Sequence, residues 1–220
     1  MVASNIRRAQ DLPQVIPVFP LEGVLLLPHG MLPLNIFEPR YLNMIDDAMG
    51  GERIIGMVQA LPGRDRERPS LASIGCAGRI TSFAETSDGR YLITLTGISR
   101  FFLGEELPVR TPYRQVRADF MPFEADLAPI AEDEGFDKLR LLHALKAYLD
   151  RRSLEVDWET AKAAPAEALV NSLSMALPFE PAEKQALLEA PTSSERREAL
   201  VALLEIDAAS IDDDEASTLQ

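Results

Sequence analysis

The hydrophobic period of this chain changes once, and that change limits the folds open to it. From Gln14 to about Phe120 the apolar residues come in short, β-rich runs separated by Gly, Pro and Asp-Gly turns; from Phe136 they recur at helical spacing. Strands followed by helices read as an α+β protein. Charge breaks near the same point. Through Phe120 there are 13 arginines, no lysine and 13 acidic residues, whereas from Met121 onward 9 basic residues face 22 acidic ones. The formal charge of −13 therefore belongs to the second half. An acidic surface of that size repels phosphate backbones and weighs against general nucleic-acid binding.

Within the first half, Val15-Ile-Pro-Val-Phe19 reads as a short strand whose proline suggests an edge or a bulge. Leu32–Phe37 is a second run, and Arg53–Leu61 a largely buried third. The clearest hairpin joins Gly78–Glu85 to Arg90–Thr96 through Thr86-Ser-Asp88-Gly89, where Asp-Gly supplies the positive φ of a tight turn. Gly97 breaks the return run before Ile98–Leu103 and predicts a bulge or a second corner. Tyr113–Phe120 closes the series, and short strands with one intervening helix predict a partly open β-barrel over 14–120.

Residues 121–135 read as an acidic linker. Beyond it, 136–207 predicts a helical bundle. Leu139, Leu142, Leu145, Tyr148 and Leu149 form one stripe, Asp157 caps a short helix, Pro165 and Pro181 open two more, and Thr192-Ser-Ser-Glu195 is a capping box. The ends, 1–13 and the acidic 208–220, are expected to be a flexible arm and a disordered tail. Arg7-Arg8 lacks the apolar stretch of an export signal, no run is long enough to span a bilayer, and the single Cys76 fits a reducing compartment. A cytoplasmic protein is expected.

The search for chemistry returns little. None of the four lysines follows a glycine, so there is no phosphate loop, and no Gly-x-Gly-x-x-Gly turn marks a dinucleotide site. His29 and His143 are more than a hundred residues apart, and Cys76 sits in the small-residue run Ser73–Gly78, which suits close strand packing rather than an activated thiolate. No catalytic residue, metal or cofactor is predicted. The stretch Pro33-Leu-Asn-Ile-Phe-Glu-Pro-Arg-Tyr41 gathers Glu38, Arg40 and Tyr41 around a proline. Pro39 fits a first helical position, Glu38 can face the positive helix N-terminus, and Tyr41, Met44 and Ile45 can pack inward. The cluster is read as a hinge.

Val18-Phe-Pro-Leu21, Leu25-Leu-Leu-Pro28, Leu32-Pro-Leu-Asn-Ile-Phe-Glu-Pro-Arg-Tyr41, Asp88-Gly-Arg-Tyr91 and Gly97-Ile-Ser-Arg-Phe101 together resemble the N-terminal, substrate-binding domain of Lon proteases. Leu173–Pro178 and Glu183–Glu189 extend the likeness, which covers about 14–207. The motif positions carrying it are Phe37, Glu38, Pro39, Arg40, Tyr41, Asp88, Gly89, Gly97, Arg100 and Phe101. The resemblance implies a PUA-like pseudo-barrel followed by a C-terminal α-helical bundle. It also implies a non-catalytic module that binds unfolded or apolar segments, with polypeptide clients and a protease or chaperone as partners. The family's ATPase and peptidase modules have no counterpart in these residues, so a stand-alone member is expected.

The binding surface is expected at a cleft between barrel and bundle or at a sheet edge, with Leu26, Met31 and Phe102 as candidate peptide contacts. Two alternatives remain. One is RNA binding through Arg64, Arg66 and Arg68, since PUA-like barrels serve RNA elsewhere. The other is a small-ligand barrel or hydrolase using Cys76 or His29. The sequence leaves the oligomeric state open.

Overall fold

The structure, a computed structural model, describes residues 6–63, 68–129 and 136–209. Among the described residues, six strands and six α-helices follow one another as β1 (Val15–Pro20), β2 (Met31–Ile36), α1 (Pro39–Gly50), β3 (Ile54–Val58), β4 (Ile74–Glu85), β5 (Tyr91–Glu106), β6 (Arg114–Asp119), α2 (Lys138–Arg152), α3 (Trp158–Ala163), α4 (Ala166–Ala176), α5 (Pro181–Glu189) and α6 (Ser193–Ala209). The chain forms two compact units, one of Met1–Pro129 with Pro178–Leu188, the other of Ile130–Leu177 with Glu189–Gln220.

In the first unit the sheet order is β2-β5-β4-β3-β1-β6, and β5 also pairs with β6. That pairing closes five strands into a barrel and leaves β2 as a flank on β5. The long β5 makes this possible: Tyr91–Thr96 pairs with β2, whereas Phe102–Glu106 pairs with β6. Between the two stretches the β4 register shifts at Ala77/Gly78, with Gly78 opposite Gly97 and Ala77 opposite Ser99. Gly97 thus marks a bulge in a continuous strand, not a break. A Cβ there would stand 2.0 Å from the carbonyl oxygen of Leu27, so only glycine lets the two backbones meet. Ile16, Val18, Ile54, Val58, Phe101, Val116 and Phe120 fill the interior.

Several expectations need correction. β1 is interior, parallel to β3 and antiparallel to β6. Pro17 is tolerated because the β3 ladder starts only at Val18. Residues 9–11, expected in a solvated arm, form a 3₁₀ turn, and Ala9 and Leu12 are buried in the core with Ile6 against it. Their spacing of three is that of a 3₁₀ turn, whose side chains eclipse at i+3. Met121–Leu127, expected as linker, is a second 3₁₀ segment that buries Phe123. Residues 130–135 and the tail from 210 lie outside the described residues.

Period alone assigns α5 to the helical half, but its contacts are with the barrel. Lys184 Nζ donates to Gly23 O at 2.9 Å, Gln185 Nε2 to Ile74 O at 3.1 Å, and the carbonyl of Leu188 accepts from Arg100 at 3.2 Å. Burial of the Lys184 ammonium pushes its pKa down. In the second unit α2 buries Leu141, Ala144, Leu145, Tyr148 and Leu149, whereas Leu139 is exposed. The expected stripe missed Leu141 and Ala144, which continue the i, i+3, i+4 row. Asp157 caps α3 through the N–H groups of Glu159 and Thr160, and Thr192 and Glu195 cap α6 reciprocally, at 3.0 and 3.1 Å.

Candidate functional site

β2 stops at Ile36, and the chain turns into α1 at Pro39, whose missing N–H costs the first helical turn nothing. Glu38 precedes it in extended conformation, as the residue before a proline must, and its carbonyl accepts from the N–H groups of Tyr41 (2.9 Å) and Leu42 (3.0 Å). Its side chain stands at the helix N-terminus, as expected, but makes no capping hydrogen bond. Oε2 instead accepts from Arg40 Nε at 3.0 Å and pairs with the same guanidinium at 2.8 Å, a charged donor outcompeting peptide N–H groups. The Arg40 guanidinium carbon lies 4.6 Å from the Tyr41 ring centroid, and that ring packs 4.2 Å from Phe19. Burial pushes the Tyr41 phenol up. Phe37, by contrast, is 62% exposed.

This corner is one wall of a cleft of about 1070 Å³ in the barrel unit. The end of β1, the start of α1, Ala60, Arg68 and Pro69 between β3 and β4, and the β5–β6 connection surround it. Five of its lining residues are prolines (Pro20, Pro39, Pro69, Pro108 and Pro112), and Leu107 and Val109 add apolar surface. Opposite charges line the rest. Glu106 Oε1 accepts from Arg68 at 2.7 Å and from Arg114 Nε at 3.0 Å, and Oε2 accepts from Arg114 at 2.7 Å. The Arg114 bonds, with Arg68 behind them, hold the Glu106 carboxyl below the usual carboxylate range. Arg114 also donates to Pro69 O at 2.7 Å, tying the two connections together. Beside them Tyr113 donates to Asp47 Oδ2 at 2.6 Å; burial and that bond push its phenol up to about 12.

Glu38, Pro39, Arg40 and Tyr41 therefore meet at the cleft. The other motif residues lie elsewhere and support the fold. Asp88 and Gly89 form the β4–β5 turn, where Gly89 takes φ of +78° and Asp88 accepts from the Thr86 hydroxyl. Arg100 is buried beside the core residue Phe101. It donates from Nε and a terminal nitrogen to Asp126, at 2.9 and 2.8 Å, and lies over the Phe123 ring. Of the candidate peptide contacts, Met31 and Phe102 are exposed, with the Phe102 ring tilted against that of Phe123 at 5.1 Å between centroids. Leu26 is a correction: it is 1% exposed, packed under β4, and unavailable to a partner.

Cys76 is fully buried in β4, and His29 sits exposed in a left-handed turn away from the cleft, so the hydrolase reading finds no site at either. Arg64 and Arg66 lie outside the described residues, whereas Arg68 pairs with Glu106. Among the described residues no cluster of three or more His, Cys, Asp or Glu side chains forms a metal site, and no helix is long and apolar enough to cross a membrane.

Sequence reasoning missed Glu106, Tyr113, Arg114 and Asp126. The cleft residues come from two strand connections that no local period joins, though the Leu-Pro-Val-Arg-Thr-Pro run at 107–112 marked a stiff loop.

The model of the ATP-dependent protease La (LON) substrate-binding domain matches residues 15–205. Among curated relatives, Lon protease 2 of Myxococcus xanthus is 27% identical over 121 residues, 54% of this chain and 14% of that protein. The Lon protease of Dictyoglomus thermophilum is 24% identical over 179 residues, 81% of this chain and 21% of that protein. The chain thus spans between about a seventh and a fifth of the length of these relatives. Among solved structures, a Lon N-terminal domain protein from Xanthomonas campestris aligns with a TM-score of 0.59 at 24% identity, covering 86% of this chain and 97% of that one. The N-terminal domain of a Mycobacterium avium complex Lon protease gives 0.61 at 20% identity, covering 87% and 98%. At those identities the two structures speak for the fold alone.

Proposed function

Because the chain belongs to the ATP-dependent protease La (LON) substrate-binding domain family, we propose that it binds polypeptide segments and does no chemistry on them. The cleft at Glu38–Tyr41 is the proposed binding surface. The observation that carries this reading is the make-up of the cleft: stiff apolar walls of proline, Leu107 and Val109, with each carboxylate already held by arginine. No nucleophile there stands against an unengaged base, which catalysis of hydrolysis would need. Proline-walled grooves suit extended chains, since their shape is set before the ligand arrives and little ordering is lost on binding. Met31 and Phe102 are held as secondary contacts. The polypeptide is handed to, or withheld from, a protease or chaperone.

The test is fluorescence anisotropy with a labelled casein, a chain with little fold to lose. Saturable binding is expected, and Val109→Ser should weaken it about three- to tenfold, because a partly exposed valine buries apolar area only when the ligand covers it. Affinity unchanged in Val109→Ser, with the fold intact by circular dichroism, removes the cleft from the reading. Of the three arginines on which the RNA reading rests, Arg68 is held by Glu106, together with Arg114, and a phosphate would have to displace that glutamate.

A further inference from the structure

Two walls of the cleft are built separately. Pro69 belongs to the residues leading into β4, which lie against the end of β3: Leu61 donates its N–H to Ser70 O at 2.8 Å, Ala72 to Gln59 O at 3.0 Å, and Ala60 pairs with Leu71. The facing wall, Leu107–Pro112, is closed on itself. Leu107 donates its N–H to Gln115 O at 2.9 Å, the Thr111 hydroxyl to Tyr113 O at 2.9 Å, and Gln115 Nε2 to the Thr111 hydroxyl at 3.3 Å. None of these bonds joins one wall to the other. Arg114 does. Its Nε and one terminal nitrogen hold the two oxygens of Glu106 at 3.0 and 2.7 Å, and its other terminal nitrogen reaches Pro69 O at 2.7 Å. The Arg114 and Glu106 side chains are 20% and 25% exposed, so water screens this bridge less than the outer pair of Glu106 with Arg68, which is 67% exposed. A planar guanidinium that grips a carboxylate by two nitrogens and a carbonyl by the third has one orientation left. A lysine ammonium, a point charge, cannot reproduce it.

We propose that Arg114 and Glu106 are positioning residues for polypeptide binding: their bridge to Pro69 fixes the two walls at the spacing that receives an extended chain. This rests on the polypeptide-binding reading and deepens it. Neither residue needs to touch the bound segment. They act through Pro69, Leu107 and Val109, whose apolar surface is set in place before the segment arrives, so that little ordering is left to be lost on binding. Without the bridge each wall keeps its own bonds, but the arrangement that fits a chain becomes one of several, and the apparent affinity falls by the fraction of molecules still holding it.

The test is a cycle of charge-conserving substitutions in the full chain, Arg114→Lys, Glu106→Asp and the two together, with labelled casein followed by anisotropy. Each single variant is expected to bind about fivefold more weakly, as when the competent arrangement falls to about a fifth of the population. The double variant should bind no more weakly than the poorer single one, because the two residues work as one unit. Hydrogen exchange supplies a readout that a general loss of stability would not reproduce. The Leu61 N–H, held by Ser70 O beside Pro69, should exchange faster in all three variants, whereas the Thr86 N–H, held by Arg90 O in the β4–β5 turn, should keep its rate. Each position keeps its charge, so a cleft in which Arg114 serves the segment only as a charge would bind casein equally well in Arg114→Lys. Unchanged affinity in the single variants overturns the inference while polypeptide binding stands. Losses that add in the double variant, or weaker binding with Leu61 exchange unaltered, overturn it as well. Circular dichroism checks each fold, and either single variant carries both readouts if the other unfolds. Absence of casein binding to the unsubstituted chain takes down the polypeptide-binding reading itself.

Discussion

Arg100 carries its charge inside the barrel unit, and Asp126 is the reason it can. Their side chains are 6% and 9% exposed and meet through two guanidinium bonds, and the backbone N–H of Arg100 adds a third at 2.9 Å to the same carboxylate. Removing one partner of such a pair strands a buried charge, which costs about 3–5 kcal/mol. Asp126→Ala should therefore lose about that much in urea unfolding followed by circular dichroism. Arg100→Met with Asp126→Leu should recover most of it; equal loss in single and double variants would show that the pair does not hold the 3₁₀ segment. Tyr113 gives a pH dependence. Its folded pKa of about 12 lies above the ordinary tyrosine value of 10.0, so the folded state holds the phenolic proton more tightly than the unfolded one. That contribution is fully present below pH 10 and is lost as pH rises through 12. Alkaline melts should fall steeply over that window, and Tyr113→Phe should flatten the fall while lowering stability at neutral pH through loss of the Asp47 bond.

At the scale of elements, β2 is an open sheet edge. The N–H of Gly97 donates to Gly30 O at 2.8 Å, and alternation from that bond makes Leu32–Leu95, Leu34–Ile93 and Ile36–Tyr91 the hydrogen-bonded pairs. Met31, Pro33 and Asn35 then direct their backbone groups outward, and Pro33 has no N–H to offer. The middle donor of the open edge is missing, which bars a neat added strand and guards the edge against self-association. Pro33→Thr restores that donor. The variant should self-associate at concentrations where the parent does not, read by light scattering, with its unfolding free energy changed by less than about 1 kcal/mol. A variant that stays dispersed would show that some other feature protects the edge. The same geometry argues against strand addition at β2 as the mode of polypeptide capture.

At the scale of the molecule, the barrel unit borrows α5 from far along the chain. Lys184, Gln185 and the Leu188 carbonyl each bind a barrel group, so a fragment ending at 129 would leave Gly23 O and Ile74 O without these donors and Arg100 without one of its acceptors. Such a fragment should unfold without cooperativity, whereas the same fragment joined to 178–188 through a Gly/Ser linker should regain a sharp transition and protect the Ile74 region from hydrogen exchange. Equal behaviour of the two would mean that α5 is dispensable. Much of this organisation was legible beforehand. The hairpin at Asp88-Gly89, the helix start at Pro39, the cap at Asp157 and the capping box at Thr192–Glu195 all rest on residues within four positions of one another, where geometry follows from residue type.

Local order, then, belongs to the sequence by itself: strands then helices, the turn residues, the caps and the family motif. Tertiary structure alone decided what those pieces meet. It carried Glu106, Arg114 and Pro69 to the Glu38–Tyr41 corner, buried Leu26, sent α5 to the barrel and gave Arg100 its aspartate. The physical reason is range. Turns and caps are set by steric and hydrogen-bonding terms between near neighbours, whereas the cleft is made by loops joined through barrel closure, and nothing in the local pattern of one loop specifies the charge it will face on another.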